Sequence, residues 1–260
     1  MNPETDLQTA ARTALACLDL TTLNDADTQN DVARICDRAQ GPHGNVAAVC
    51  VWPRFAAFAR KRLPASISVA AVANFPDGSG DVPRAVRDTE TIVQAGAQEV
   101  DVVLPWQHLQ RGDEATVSLI LQSVRKASDG LVLKVILESG MLASPALIAR
   151  ASRLALDAGA DFLKTSTGKT PVSATPDAAK IMLEAIAGGG AAASHVGFKP
   201  SGGIRTVADA AAYIALTQAM LGEAAVNPAR FRLGASSVLD DIERVLSGQA
   251  SASTAAPGAY

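Results

Sequence analysis

Aromatic side chains are scarce in this chain: six Phe, two Trp and two Tyr among 260 residues. Their scarcity removes the stacking platforms on which proteins hold single-stranded nucleic acid. There is no excess of positive charge either. Lys and Arg number 23 against 26 Asp and Glu, a formal net charge of −3, so no basic field exists to hold a nucleic-acid backbone or an anionic membrane. Any phosphate must be captured locally. No run of ~18 uncharged apolar residues occurs, so nothing reads as a membrane span. The opening MNPETDLQTAAR lacks the basic start and apolar core of a secretory signal. Cysteine is limited to Cys17, Cys36 and Cys50, an odd number at spacings that match no metal or redox motif. They read as reduced thiols of a cytoplasmic protein, and Cys50, at the end of an apolar run, as a buried structural thiol. His43, His108 and His195 sit on separate segments without ligand-like spacing, so no metal site is expected. No GxGxxG follows the first apolar run, which removes the main argument for a dinucleotide-binding fold.

What is present is a strong alternation of element types. Hydrophobic residues make up 48% and charged residues 19%, the latter below the ~25% of an average soluble domain. Short apolar runs read as buried strands: 14–20, 45–51, 66–75, 99–104, 131–139, 160–166, 195–199 and 230–236. Between them lie helix-like stretches such as Asp27 to Ala39, Pro83 to Ala95, Ser144 to Ala158 and Thr206 to Leu221. Ser144-Pro145 and Thr175-Pro176 each set a capping residue before a proline at the first helical position. Eight β/α pairs at ~32 residues each favour closure into an α/β (β/α)8 TIM barrel. We expect a single domain over residues 1–246, with a short N-terminal helix over 1–12. Residues 247–260, small and polar, read as a flexible tail.

Barrel enzymes work at the C-terminal ends of their strands, so polar residues in or just after a strand are the candidates. Asp19, Thr21, Asn74, Asp101, Lys134, Glu138, Lys164, Lys199, Ser236 and Ser237 meet that condition. Lysines are rare in barrel strands because burying an ammonium is costly. Lys164 and Lys199 end neighbouring strands and their side chains can converge. A free lysine titrates near ~10.4, leaving about one in 2500 uncharged at neutral pH; bringing it to ~7 takes ~4.6 kcal/mol. Burial and a second cation push in that direction. The alternative is that each lysine pairs with a carboxylate such as Asp101 or Glu138, the preferred reading for Lys134 alone. Asp101, facing the interior with Glu99 and Val103, serves equally well as a proton relay or as a structural ion-pair partner. Three glycine-containing segments follow the sixth to eighth strands: 166–169, 201–205 and 234–237. Their backbones can approach an anion, with charge from Lys169 or Arg205 and hydroxyls from Ser236 and Ser237.

At this point the residues match a known pattern. The chain resembles, nearly end to end, the deoxyribose-phosphate aldolases, class I aldolases on a β/α barrel. DFLKTSTGK (161–169) is the most specific piece, followed by VGFKPSGGIRT (196–206), DLTTLN (19–24), EVDVVLP (99–105), GASS (234–237) and ANFPDG (73–78). The resemblance implies reversible cleavage of 2-deoxy-D-ribose 5-phosphate to D-glyceraldehyde 3-phosphate and acetaldehyde, as in deoxyribose phosphate catabolism. Lys164 would form the imine, Lys199 would lower its pKa, and Asp101 would take part in proton transfer. Lys169, Gly202, Gly203, Arg205, Gly234, Ser236 and Ser237 would surround the phosphate, and Asp19 and Thr21 would complete the substrate site. No cofactor or metal is implied. Partners would be a phosphorylated sugar and small aldehydes, with no nucleic acid and no membrane. Barrels of this family are often dimers, so a homodimer is implied, though no contact surface is readable. The family's C-terminal tyrosine can reach the site; Tyr260 stands in that place, and a ~14-residue tail spans ~45 Å. Departures from the family pattern are small: Ser201 replaces a usual alanine, Ser139 a threonine, and Trp106 a common phenol. Two rivals remain: a phosphate-binding isomerase or synthase using Lys164 and Asp101 without an imine, and a catalytically dead sugar-phosphate-binding regulator.

Overall fold

The computed structural model describes residues 3–252. Eight short strands form its centre: β1 (Leu18–Thr21), β2 (Ala48–Val51), β3 (Ser68–Ala73), β4 (Glu99–Val103), β5 (Val132–Ile136), β6 (Phe162–Lys164), β7 (Gly197–Lys199) and β8 (Leu233–Ala235). They run parallel in sequence order, and β1 also pairs with β8. The seam between β7 and β8 is joined by bridges from Phe198 to Phe231 and from Ser201 to Gly234, with Phe198 N–H donating to the Arg230 carbonyl and Arg232 N–H to that of Phe198. The sheet is therefore a (β/α)8 TIM barrel, and its helices pack outside it.

Those helices are α1 (Pro3–Ala16), α2 (Gln29–Arg38), α3 (Pro53–Arg62), α4 (Val82–Gln94), α5 (Trp106–Gln110), α6 (Glu114–Ala127), α7 (Ser139–Leu142), α8 (Pro145–Asp157), α9 (Pro176–Ala187), α10 (Val207–Leu221) and α11 (Val238–Leu246). Their starts follow local chemistry. Thr28 with Asp31, and Thr206 with Asp209, form reciprocal capping boxes on α2 and α10. Thr175 accepts from Ala178 N–H at the start of α9, with Pro176 in the first turn. Ser144 holds the equivalent position before Pro145, but its side chain makes no capping bond.

Side-chain alternation divides the strands between two environments. Leu18, Val49, Val69, Val100, Leu133, Leu163, Phe198 and Leu233 point outward and are buried under the helices. The inward positions on β1, β4, β5, β6 and β7 carry charge. A smaller apolar cluster of Leu23, Cys50, Ala70, Val72, Phe75, Val103 and Ile136, with Trp52 and Trp106 against it, occupies the β2–β5 side of the interior. At Gly197 there is no room for a side chain: a Cβ would lie 2.4 Å from the Phe162 ring.

Boundaries differ from the sequence reading in places. The N-terminal helix does not stop at residue 12 but continues to Ala16, taking 14–16 from the expected first strand, because Ala11, Ala14 and Leu15 all bury an apolar face. Strand β2 begins at Ala48, since Gln40–Gly41 and Gly44–Asn45 form their own antiparallel hairpin. The short helices α5 and α7 were not anticipated. Among the described tail residues, 251 and 252 are tied down: Ser251 Oγ and Ala252 N–H donate to Asp241 at 2.7 and 2.6 Å. Residues 253–260 of the expected flexible tail, Tyr260 included, lie outside the described residues.

Candidate active site

Strand register brings the inward charges together. Asp101 on β4 stands beside Lys134 on β5, and Lys164 on β6 beside Lys199 on β7. Lys164 Nζ and Lys199 Nζ both donate to one oxygen, Asp101 Oδ2, at 2.8 and 2.7 Å. Lys134 Nζ donates to the other oxygen, Oδ1, at 3.0 Å. Below this cluster Asp19 bridges Lys199, Lys134 (3.0 Å) and Arg232 (2.6 Å), and Glu99 binds Lys134 and Arg232. Each of these carboxylates has at least two cationic partners, which is what lets a low-dielectric interior hold them.

The electrostatics separate the two lysines that share Asp101. Burial pushes both toward the neutral amine. Lys199 faces two carboxylates, Asp101 and Asp19, and they outweigh burial, so its pKa is raised and it stays an ammonium. Lys164 has Asp101 alone, and Lys199 repels its proton. Burial prevails, and its pKa lies below the usual lysine value. Burial opposes the charge of Asp101 as well, but Lys134, Lys164 and Lys199 together hold its carboxyl well below the ordinary range. The formal charges agree. Arg232, Lys134 and Lys199 balance Asp19, Glu99 and Asp101, which leaves Lys164 as the cation without a counterpart.

Above the network lies a cavity of about 220 Å³, lined by Thr21, Leu23, Asn24, Lys164, Lys169 and Ser236, among others. Lys164 is the one lysine of the cluster that reaches it; the side chains of Lys134 and Lys199 are fully covered. The expected site residues sort accordingly. Thr21, Lys164, Lys169, Gly202, Gly234 and Ser236 line the cavity. Lys199 and Asp101 lie beneath it. Ser237 heads α11 and makes no side-chain capping bond there, while Leu239 N–H in the first turn donates to the carbonyl of Ser236, a residue of the cavity wall. Gly203 and Arg205 are exposed and outside the lining. Asp19 does not line the cavity: it is fully buried beneath, salt-bridged to Lys199 and Arg232.

Other expectations also shift. Lys134 is ion-paired, as preferred, with the expected Asp101 and also with Glu99 and Asp19, but not with Glu138. Ser201 is buried, and its hydroxyl donates to the Ser166 carbonyl, joining the β6 and β7 loops. The Ser139 hydroxyl is buried without a hydrogen-bond partner among the described residues. Arg232 and Glu99 were missed as members of the network. Their signal was available, since each sits two residues from a named position, Gly234 or Asp101, and so faces the same way. All three thiols are free and buried, and burial pushes Cys17 up to about 12 and Cys36 to about 11. Among the described residues no group of side chains is arranged to hold a metal ion, and no helix is long and apolar enough to cross a membrane.

Comparison with known proteins agrees with this geometry. The model of the DeoC/LacD family aldolases matches residues 13–241. A provisionally assigned deoxyribose-phosphate aldolase from Toxoplasma gondii superposes with a TM-score of 0.85 at 26% identity, covering 95% of this chain and 98% of its own. One with the same provisional assignment from Coccidioides immitis gives 0.77 at 26% identity, covering 90% and 87%. The deoxyribose phosphate aldolase of Aeropyrum pernix, described as a unique tetramer, shares the fold with a TM-score of 0.70 at 23% identity, covering 94% and 99%.

Proposed function

Since the chain belongs to the DeoC/LacD family of aldolases, we propose that it cleaves 2-deoxy-D-ribose 5-phosphate reversibly to D-glyceraldehyde 3-phosphate and acetaldehyde, through an imine on Lys164. One observation carries this reading: Lys164 is the lysine of the buried cluster that reaches the cavity, and it shares Asp101 Oδ2 with an ammonium that is better paired than itself. Neutral Lys164 Nζ attacks the C1 aldehyde, and the carbinolamine loses water to give an iminium. The C3 hydroxyl gives up its proton through water toward Asp101. The C2–C3 pair moves into the iminium, C3 becomes the aldehyde of the departing triose phosphate, and an enamine remains. Protonation at C2 and hydrolysis release acetaldehyde and restore the amine. Asp101 is held as a carboxylate, so it carries the C3 hydroxyl's proton only in passing and returns it through water toward C2 of the enamine, while Lys199 stays an ammonium beside it.

The phosphate is taken by Lys169, Gly202 and Ser236 around the cavity, beside the first turn of α11. Tyr260 is assigned to C2 protonation on reach. Ala252 is tied to the first turn of α11, leaving about eight residues, or ~26 Å when extended. The test is borohydride reduction in the presence of acetaldehyde. It should leave an ethyl group on Lys164, and Lys164→Ala should neither trap nor cleave. Cleavage by the wild type that survives reduction, with no adduct, rules out the imine.

A further inference from the structure

Glu138 follows β5 in a left-handed conformation, φ 55°, and is fully buried. A non-glycine residue held there is strained unless its surroundings hold it. Its carboxylate has no cationic partner among the described residues. Instead it accepts only from the loop after β6: Thr167 N–H at 3.3 Å and the Thr167 hydroxyl, with the Thr170 hydroxyl at 3.1 Å. That loop is gripped from both sides. On one side a Cβ at Gly140 would lie 2.1 Å from the Val172 carbonyl; on the other a Cβ at Gly202 would lie 2.5 Å from Ser173 Oγ. Between the two grips the loop carries Thr167, Gly168 and Lys169 to the cavity wall.

We propose that Glu138 is a positioning residue that fixes the 167–170 loop so that Lys169 and the neighbouring backbone present a preformed site for the substrate's phosphate. The inference rests on the phosphorylated-sugar reading above. Glu138 does not touch the amine network: its hydrogen bonds go to Thr167 and Thr170, whereas Lys164 is held by Asp101. Its loss should therefore act on phosphate binding rather than on the carbon–carbon bond.

The test compares wild type with Glu138→Gln, which keeps the side chain's size but turns one of its two acceptor oxygens into a donor. Cleavage of 2-deoxyribose 5-phosphate and of 2-deoxyribose is measured for each, together with the Kd of inorganic phosphate. We expect KM for the phosphorylated sugar and the phosphate Kd to rise about tenfold, the size expected for a lost charge-assisted contact. Turnover of 2-deoxyribose should stay near wild type. An equal fall on both substrates, or an unchanged phosphate Kd, overturns the proposal. If Glu138→Gln does not fold, Thr170→Val, which removes one donor from the same carboxylate, decides on the same ratio with a smaller shift. If wild type cleaves neither sugar yet Glu138→Gln weakens phosphate binding, the substrate reading falls and the positioning role stands. Wild type that binds no phosphate ends the inference.

Discussion

At the scale of single residues, the decisive contrast is between two lysines on one carboxylate oxygen. Both are buried, and they differ in how many anions each one meets. Lys199 has Asp19 as a second partner and Lys164 has none. The charge of Lys199 therefore lowers the proton affinity of its neighbour. Replacing Lys199 with Met should leave Lys164 alone with Asp101 and move its pKa upward. Below that pKa the amine is charged and cannot attack, so the rising limb of the pH–activity profile should move to higher pH. A move of about one pH unit corresponds to ~tenfold less imine at neutral pH. Borohydride trapping across a pH series gives the midpoint directly. An unmoved midpoint in a folded variant means that Lys199 does not tune the amine.

At the scale of elements, the chemistry rests on contacts between loops and helix ends. Asp241, in the first turn of α11, accepts from Val207 N–H of α10 as well as from Ser251 and Ala252. One carboxylate thus caps a neighbouring helix and fastens the segment that leads toward Tyr260. Asp241→Ala should cost ~1–2 kcal/mol of stability through the lost cap and hydrogen bonds, and should open residues 247–252 to limited proteolysis. Undiminished protease resistance would show that the segment is held by something else. The same scale explains what could be read beforehand. The strands were legible as short apolar runs, and the start of α9 because Thr175 stands as a cap before Pro176. Helices α5 and α7 are too short to establish a 3.6-residue period. Asp19 was misplaced because spacing gives the face of a strand and not the depth below the mouth. Arg232 was missed although its spacing to Gly234 gave its face, because Arg230 has the same parity, and parity does not say which of the two reaches the interior. The roles of Arg205 and Gly203 depend on loop paths that no periodicity encodes.

At the scale of the whole molecule, the barrel closes its sheet around a charged interior rather than a purely apolar one, with four cations against three carboxylates. Pairing offsets most of the desolvation cost, but one amine remains without its own anion, and burying it makes the site work against stability. Lys164→Met should therefore be more stable than wild type near neutral pH while being inactive. Lys199→Met should be less stable, because Asp19 and Asp101 each lose a partner; breaking a buried pair costs ~3–5 kcal/mol. The pH dependence has a definite sign. The folded-state pKa of Lys164 lies below its unfolded value, so the unfolded chain binds more protons between the two. Wild-type stability should then rise with pH across that window, up to the ordinary lysine range near ~10.4. The advantage of Lys164→Met should shrink over the same window and be greatest at lower pH. Below the ordinary carboxylate range, ~4, both proteins should lose stability together, because Asp19 and Asp101 take up protons in the unfolded chain while the fold holds them as carboxylates. Denaturant unfolding of the two proteins at several pH values measures the difference. A Lys164→Met variant no more stable than wild type at any pH would mean that the amine is compensated by a partner, which removes the strain that the proposed nucleophile requires.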